Sequence, residues 1–540
     1  MYKKIFLIGI MLTSILYGYA QYDKIIMHSN KKNIVFFVNE GQNSWTITPE
    51  IKPDVYKIYH ETVKSYYMKF ISDIDSLEFN VEVNKPVYFS IIYNGDTAYT
   101  AIEFTNYIPN SLSDEEKLYG LSLCWSEIKY NFAFIEKIKF DIDSLYKKFM
   151  PKVLATKNDY EYQKQIALFI GKFKDGHTTV GFSGLGRYTD YISMETRYFD
   201  NELYIVCARE DLAKIYPIGS KIIEINDLPT AEYMKQYVEP YIASDFEPRV
   251  KTSAAYRLFA NDLSSNKIKI KYETPDKKIL VNTPPRDANS VDGEIVGYIQ
   301  KYPTQRIELN WKENIAILGF HSFSARDDEV LIRAFEKLKD TLYSAKGIII
   351  DLRQNGGGST DVGRHLLKYI VKEPYFLGFG SHTRINNGIK KANGNWIEKY
   401  EDFYKYRAYE TWLPDTIYIS DTIKKFNVPI VVLISNYTFS AAEDFLIDLY
   451  EIPGRPLIIG QPSGGSTGSP SVIWDFPGKG SVRVCARKVL FPYSLKPFLE
   501  GIQPDILVNY SFEEFMSGKD KDIEVAIKEL QKQINNQSSK

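Results

Sequence analysis

Three short apolar runs, at residues 315–319, 348–352 and 428–435, constrain this chain's fold more than any other feature. Runs of that length, unbroken by alternating polar residues, read as strands covered on both faces. Helical patterns separate them. Ser324-x-x-Asp327 has the spacing of a helix cap, ahead of an apolar stripe of Leu331, Phe335, Leu338 and Leu342, and Gly347 can end that helix. After the third run, Ala442, Phe445, Leu446 and Leu449 share one helical face. Strand–helix–strand alternation implies an α/β layer with right-handed crossovers.

Upstream the pattern differs. Residues 21–112 read as a β-rich accessory domain, in which 86–93 and 97–102 flank Asn94-Gly95-Asp96 as a hairpin. A helical part follows over 113–183. It opens on Ser113-x-x-Glu116, a capping-box spacing, with Leu118, Leu121, Trp125 and Ile128 recurring behind it. A second helix over about 161–173 leads into Asp175-Gly176-His177-Thr178. Residues 184–290 return to strands at 202–206, 221–225 and 267–272, with a short helix from Thr230. The polar stretch 285–305 reads as a linker, 305–510 as the α/β core, and 511–540 as a helix and polar tail. At about 150 residues per domain, 540 residues accommodate such a division.

Composition removes several function classes. Lys and Arg (67) nearly cancel Asp and Glu (68), so no electrostatic footprint points to nucleic acid. Cys124, Cys207 and Cys485 fall in different predicted modules, and no Cys/His spacing suggests zinc, so packing replaces disulfides. Lys3 and Lys4 precede an apolar run and then Gly18 and Ala20, the pattern of a secretory signal peptide cleaved after Ala20. That run is short for a membrane span, and no later run is longer, so the mature chain is expected to be exported without an integral span, to a periplasm or beyond.

Two turns could carry chemistry. Residues 351–358 read Asp-Leu-Arg-Gln-Asn-Gly-Gly-Gly directly after a buried strand, and consecutive glycines leave N–H groups able to hold an anion or an oxyanion. The Lys-Ser/Thr of a P-loop and the spacing of a dinucleotide fingerprint are both missing there. Thr438-Phe439-Ser440-Ala441-Ala442-Glu443 places a serine at a strand-to-helix turn. Such a serine either caps the helix or presents its hydroxyl as a nucleophile. Of the six histidines (His28, His60, His177, His321, His365 and His382), only His177 sits in a glycine-flanked turn after a helix. Spacing alone leaves open whether it meets Ser440.

In combination these segments resemble the S41 serine peptidases, the tail-specific or C-terminal-processing proteases and the core of tricorn protease. The resemblance rests on Asp175–Thr178, Asp351–Gly358, Thr438–Glu443, Gly460–Gly468 and Glu500–Asp505, in order, across roughly residues 113–509. It implies a multidomain α/β protein with a crotonase/ClpP-like core and a PDZ-like insert over 184–290. The family's processing proteases use a lysine base in a Gly-Lys-Gly turn, whereas the turn here, 460–468, has no lysine. Gly478-Lys479-Gly480 comes too late and reads as a hairpin tip, and Lys488 is a distant fallback. The resemblance therefore leans to the tricorn-like branch, with Ser440 as nucleophile, His177 as base and Glu500 as supporting carboxylate. It implies an oxyanion hole from the N–H groups of Gly356 or Gly357 and of Ala441. Gly176 stands where that branch has a serine.

The function so implied is an exported endopeptidase acting on peptides or unfolded proteins, with a route by the substrate's C-terminus left open and no metal or organic cofactor. The alternatives are a catalytically silent PDZ-like peptide-binding protein, a Ser–Lys peptidase using Lys488, and an acyl-transfer enzyme on a related fold. Gly184-Leu185-Gly186-Arg187 resembles a carboxylate-binding loop too faintly to carry an assignment.

Overall fold

The computed structural model describes residues 111–538, apart from 184–188, 261, 264–265, 286–293, 299–302 and 325–326, and the backbone of strands between residues 24 and 103. The proposed signal peptide and the Gly184–Arg187 loop lie outside the described residues. The chain divides into two compact units, the first being residues 1–111 with 158–160 and 184–189. Its described strands form two four-stranded sheets. In one of them Pro86–Tyr93 pairs with Asp96–Glu103, Tyr93 facing Asp96, and Asn94-Gly95 between them lie outside the described residues.

The second unit holds the remaining residues. Its central sheet has six strands, β1 (Ile307–Lys312), β2 (Ile315–Phe320), β3 (Gly347–Asp351), β4 (Ile430–Ile434), β5 (Leu457–Gly460) and β6 (Ile506–Leu507), in that order. From β2 to β6 every pairing is parallel. Side chains alternate across the pleat. Ile348, Ile350 and Val432 face one core with Leu331, Phe335, Leu366 and Phe445, while Ile349, Val431 and Leu433 face Ala526 and Leu530. Both faces are thus covered, which is why β3 and β4 are buried at every position. The C-terminal stretch expected as an appended helix and tail therefore forms one layer of the core.

Helix α1 (Asp114–Asn131) has the expected capping box at Ser113. It packs with α2 (Ile142–Leu154) and α3 (Asp159–Gly171) into an apolar cluster that also takes in Phe476, Val482 and Cys485 from the far end of the sequence. Strand Thr179–Phe182 explains the mixture: it pairs with Gly480–Cys485, Val180 opposite Val482. The helical part and the core are therefore interleaved through a shared sheet. Cys124 and Cys485 accordingly share one cluster, not separate modules, and all three cysteines are free and buried.

Residues 190–297 form an antiparallel sheet with its own core of Ile205, Ile222, Ile270 and Tyr272, closed by α4 (Glu247–Arg257) through Ala254. Ile295–Gly297, expected within a linker, is a strand of this sheet and pairs with Cys207–Arg209. Two cap readings change. Asp327, not Ser324, caps α5 (Asp328–Leu342), its carboxylate accepting from the Glu329 N–H. Gly347 opens β3 and does not end α5, because Tyr343 closes that helix and a turn through Ala345 intervenes. No helix of the described residues is long and apolar enough to cross a membrane.

Candidate active site

The glycine loop after β3 and the serine turn after β4 lie side by side because their strands are neighbours. Asn355, fully buried, ties them together. Its side chain donates to Phe320 O at 2.9 Å and accepts from Gly357 N at 2.9 Å, while its carbonyl accepts from Phe439 N at 3.0 Å. Thr438, also fully buried, donates to Leu352 O at 2.9 Å and fixes the start of the turn. Polar groups inside a closed core must be paired in this way.

Ser440 is held at φ 56°, ψ −125°, outside the regions a serine ordinarily occupies. It precedes α6 (Ala441–Tyr450), yet its side chain does not cap that helix. Its carbonyl instead accepts from Glu443 N at 2.7 Å and Asp444 N at 3.0 Å, which frees the hydroxyl. That hydroxyl lies 2.9 Å from His177 Nε2. The strained turn, in place of a capping geometry, is what aims Oγ at the imidazole.

His177 is 3% exposed. Its ring stacks on Phe439, centroids 4.8 Å apart and planes within 7°. Arg249 of α4 also lies over the Phe439 ring, 4.7 Å from its centroid, and donates to Asn436 O at 2.7 Å. Burial, then the charges of Arg483, Arg487 and Arg249, push the imidazole down to about 3 from its ordinary 6.5. A neutral imidazole facing a serine hydroxyl is the protonation state a general base requires.

On its other side His177 Nδ1 lies 2.8 Å from Ser466 Oγ, which in turn is 3.1 Å from Asp175 Oδ1. Asp175 Oδ2 accepts from Thr178 Oγ1 at 2.7 Å and His177 N at 3.2 Å. The Ser466 N–H donates to Glu443 Oε2 at 3.0 Å, and Glu443 Oε1 accepts from Ser463 Oγ and Gly465 N. Burial pushes Glu443 up to about 8, against hydrogen bonds that favour its ionised form, and raises buried Asp175 likewise.

Two expectations change here. Glu500 is exposed to solvent, on a segment pinned at its backbone by Ser463 N to Ile502 O, 3.1 Å, and Ile502 N to Ser463 Oγ, 2.7 Å. The carboxylates that reach Ser466 are Asp175 and Glu443 instead. Gly357 cannot offer its N–H to a substrate, because Asn355 holds it. Among the described residues the N–H groups of Gly356 and Ala441 have no hydrogen-bond partner. Lys488 lies in strand Arg487–Leu490, ion-paired with Glu136 and 4.6 Å from the Tyr409 ring, and Lys479 sits at a hairpin tip with φ 59°.

Ser466 and Asp175 stood inside recognised motifs without a role. Glu443 left a signal of its own. It is one of three acids in a ten-residue helix buried nearly throughout, so a solvated polar face does not explain it.

Residues 314–508 match the family model Peptidase family S41. No curated protein sequence matches the chain. Among solved structures, a mutant of CPAF is similar with a TM-score of 0.59 and 16% identity, over 78% of this chain and 98% of that one. Mature CPAF complexed with lactacystin is similar with a TM-score of 0.57 and 16% identity, over 78% and 99% of the two chains.

Proposed function

We propose, for a chain whose residues 314–508 belong to peptidase family S41 and which is a serine-type peptidase, that it is an exported endopeptidase acting on peptides or unfolded proteins. The observation that carries the reading is the 2.9 Å contact between Ser440 Oγ and His177 Nε2. Ser440 attacks the carbonyl carbon of the scissile bond while His177 takes the hydroxyl proton and later returns it to the leaving amine. The Gly356 and Ala441 N–H groups receive the oxyanion, at a helix start where the macrodipole adds to them. Losing one such donor typically costs about 2.7–4 kcal/mol of transition-state stabilisation.

Export rests on the N-terminal pattern of Lys3, Lys4, the apolar run and Ala20. The antiparallel insert, residues 190–297, with helix α4 against it, is the PDZ-like module of this proposal. A silent peptide-binding protein has no need of a serine kept in a strained turn against a buried imidazole. Fluorophosphonate labelling of the purified chain is the test: Ser440 is modified in the wild type, and modification that persists in Ser440→Ala would sink the reading. N-terminal sequencing of the protein recovered outside the cytoplasm should begin at Gln21.

A further inference from the structure

We propose that Ser466, backed by Asp175, is the positioning residue that holds His177 for catalysis, in place of Glu500. The inference rests on the Ser440–His177 reading above and deepens it. Ser466 brackets that pair from both sides. Its hydroxyl meets His177 Nδ1 at 2.8 Å, and its carbonyl accepts from Ser440 N at 3.3 Å. A hydroxyl carries one proton and two acceptor sites. Asp175 can only accept while ionised, so Ser466 donates to Asp175 Oδ1 and accepts from Nδ1–H. This assigns the tautomer: the proton sits on Nδ1, and Nε2 is left as the acceptor facing Ser440.

When Ser440 attacks, its proton passes to Nε2, the Oγ–C bond forms, and the carbonyl π pair moves to oxygen. The imidazolium keeps its Nδ1 proton and donates it in hydrogen bonding to Ser466, which shares the charge with Asp175. No proton moves beyond Nε2. Glu443 acts one step back by fixing the Ser466 backbone.

Gly176 is the steric counterpart. A β-carbon there would lie 2.9 Å from Ser466 Cβ and 2.9 Å from Phe439 Cζ. The residue before the base is side-chain-free because Ser466 and Phe439 occupy that space.

Ser466→Ala, Asp175→Asn and Glu500→Gln in the full chain test the assignment, with three readouts. These are the fluorophosphonate labelling rate at Ser440, kcat and KM on fluorescein-labelled casein, and the 15N spectrum of His177. The wild type should show the Nδ1–H tautomer. Ser466→Ala should lose that preference and fall in labelling rate and kcat by on the order of 100-fold, within the range of general acid–base effects. KM should stay unchanged, and Glu500→Gln should behave as wild type. Labelling of Ser466→Ala at the wild-type rate, or a loss confined to Glu500→Gln, would overturn the proposal. Should Ser466→Ala fail to fold, the isosteric Asp175→Asn decides: a comparable fall supports the assignment and a wild-type rate refutes it. Failure of the peptidase reading looks different, since the wild type would then escape labelling at Ser440 while keeping its Nδ1–H tautomer.

Discussion

Gly357 lies directly against Ser440: a β-carbon on the glycine would sit 2.6 Å from that of the serine. The same atom would fall 2.8 Å from Phe439 O and 3.0 Å from Ala441 N, and Gly357 itself has φ +102°. Backbone cannot give way as a flexible side chain can. Gly357→Ala should therefore displace the serine turn and lower kcat by about 100-fold or more, the scale of one lost oxyanion donor. Steady-state hydrolysis of labelled casein, with a melting curve beside it, checks this.

Ser440 carries strain that glycine would not. Both Ser440→Ala and Ser440→Gly should be inactive, but glycine accepts φ 56° without a penalty and alanine does not. Ser440→Gly should therefore exceed Ser440→Ala in stability by about 1 kcal/mol. Paired denaturant titrations of the two variants read that difference.

His177 and Glu443 give opposite slopes to stability against pH. His177, down to about 3 from 6.5, binds fewer protons folded than unfolded, so its contribution is complete above 6.5 and lost as pH falls towards 3. Glu443, up to about 8 from 4.5, holds a proton the unfolded chain releases, so its contribution is complete below 4.5 and lost as pH rises towards 8. Glu443→Gln should flatten the alkaline decline in melting temperature. Labelling of Ser440 should show no midpoint near 6.5, the ordinary histidine value.

Arg249 and His177 both lie against the Phe439 ring. Arg249→Met removes a cation–π contact worth about 0.5–2 kcal/mol. It also removes one of three arginine charges that disfavour imidazolium, so the acid limb of the labelling rate should move to higher pH. The pH profile of the variant against wild type decides the direction.

Lys488→Met should leave Ser440 labelling unchanged, since the ammonium is paired with Glu136. A large loss would restore the lysine-base alternative.

The central layer was legible in the sequence because short apolar runs such as 348–352 admit few readings. Ser440, His177 and the glycine loop were legible as motifs. Their meeting was not, since it depends on Val180 pairing with Val482, a contact between distant segments that periodicity does not encode. Glu500 was misplaced for a related reason: its motif fixes the backbone at Ile502, and nothing in the residue types says where the side chain points. Asn355 carries no signal of its own among the glycines, yet its amide is the strap that consumes the Gly357 N–H. Gly347 and Ser324 show the usual weakness at helix ends, where several residues offer equivalent caps.

The sheet shared by Thr179–Phe182 and Gly480–Cys485 has a consequence for synthesis. His177 and Ser440 stand 263 positions apart, and His177 is fastened by a strand made later than Ser440 itself. A ribosome delivers His177 long before its anchoring partner, and Lys521–Ser538, the helix that covers the second face of the central sheet, follows that strand. A nascent chain consequently holds a serine and a histidine that have not yet met. The pair can assemble only once Gly480–Cys485 has been made, so a shorter nascent chain is shielded from its own kind of chemistry.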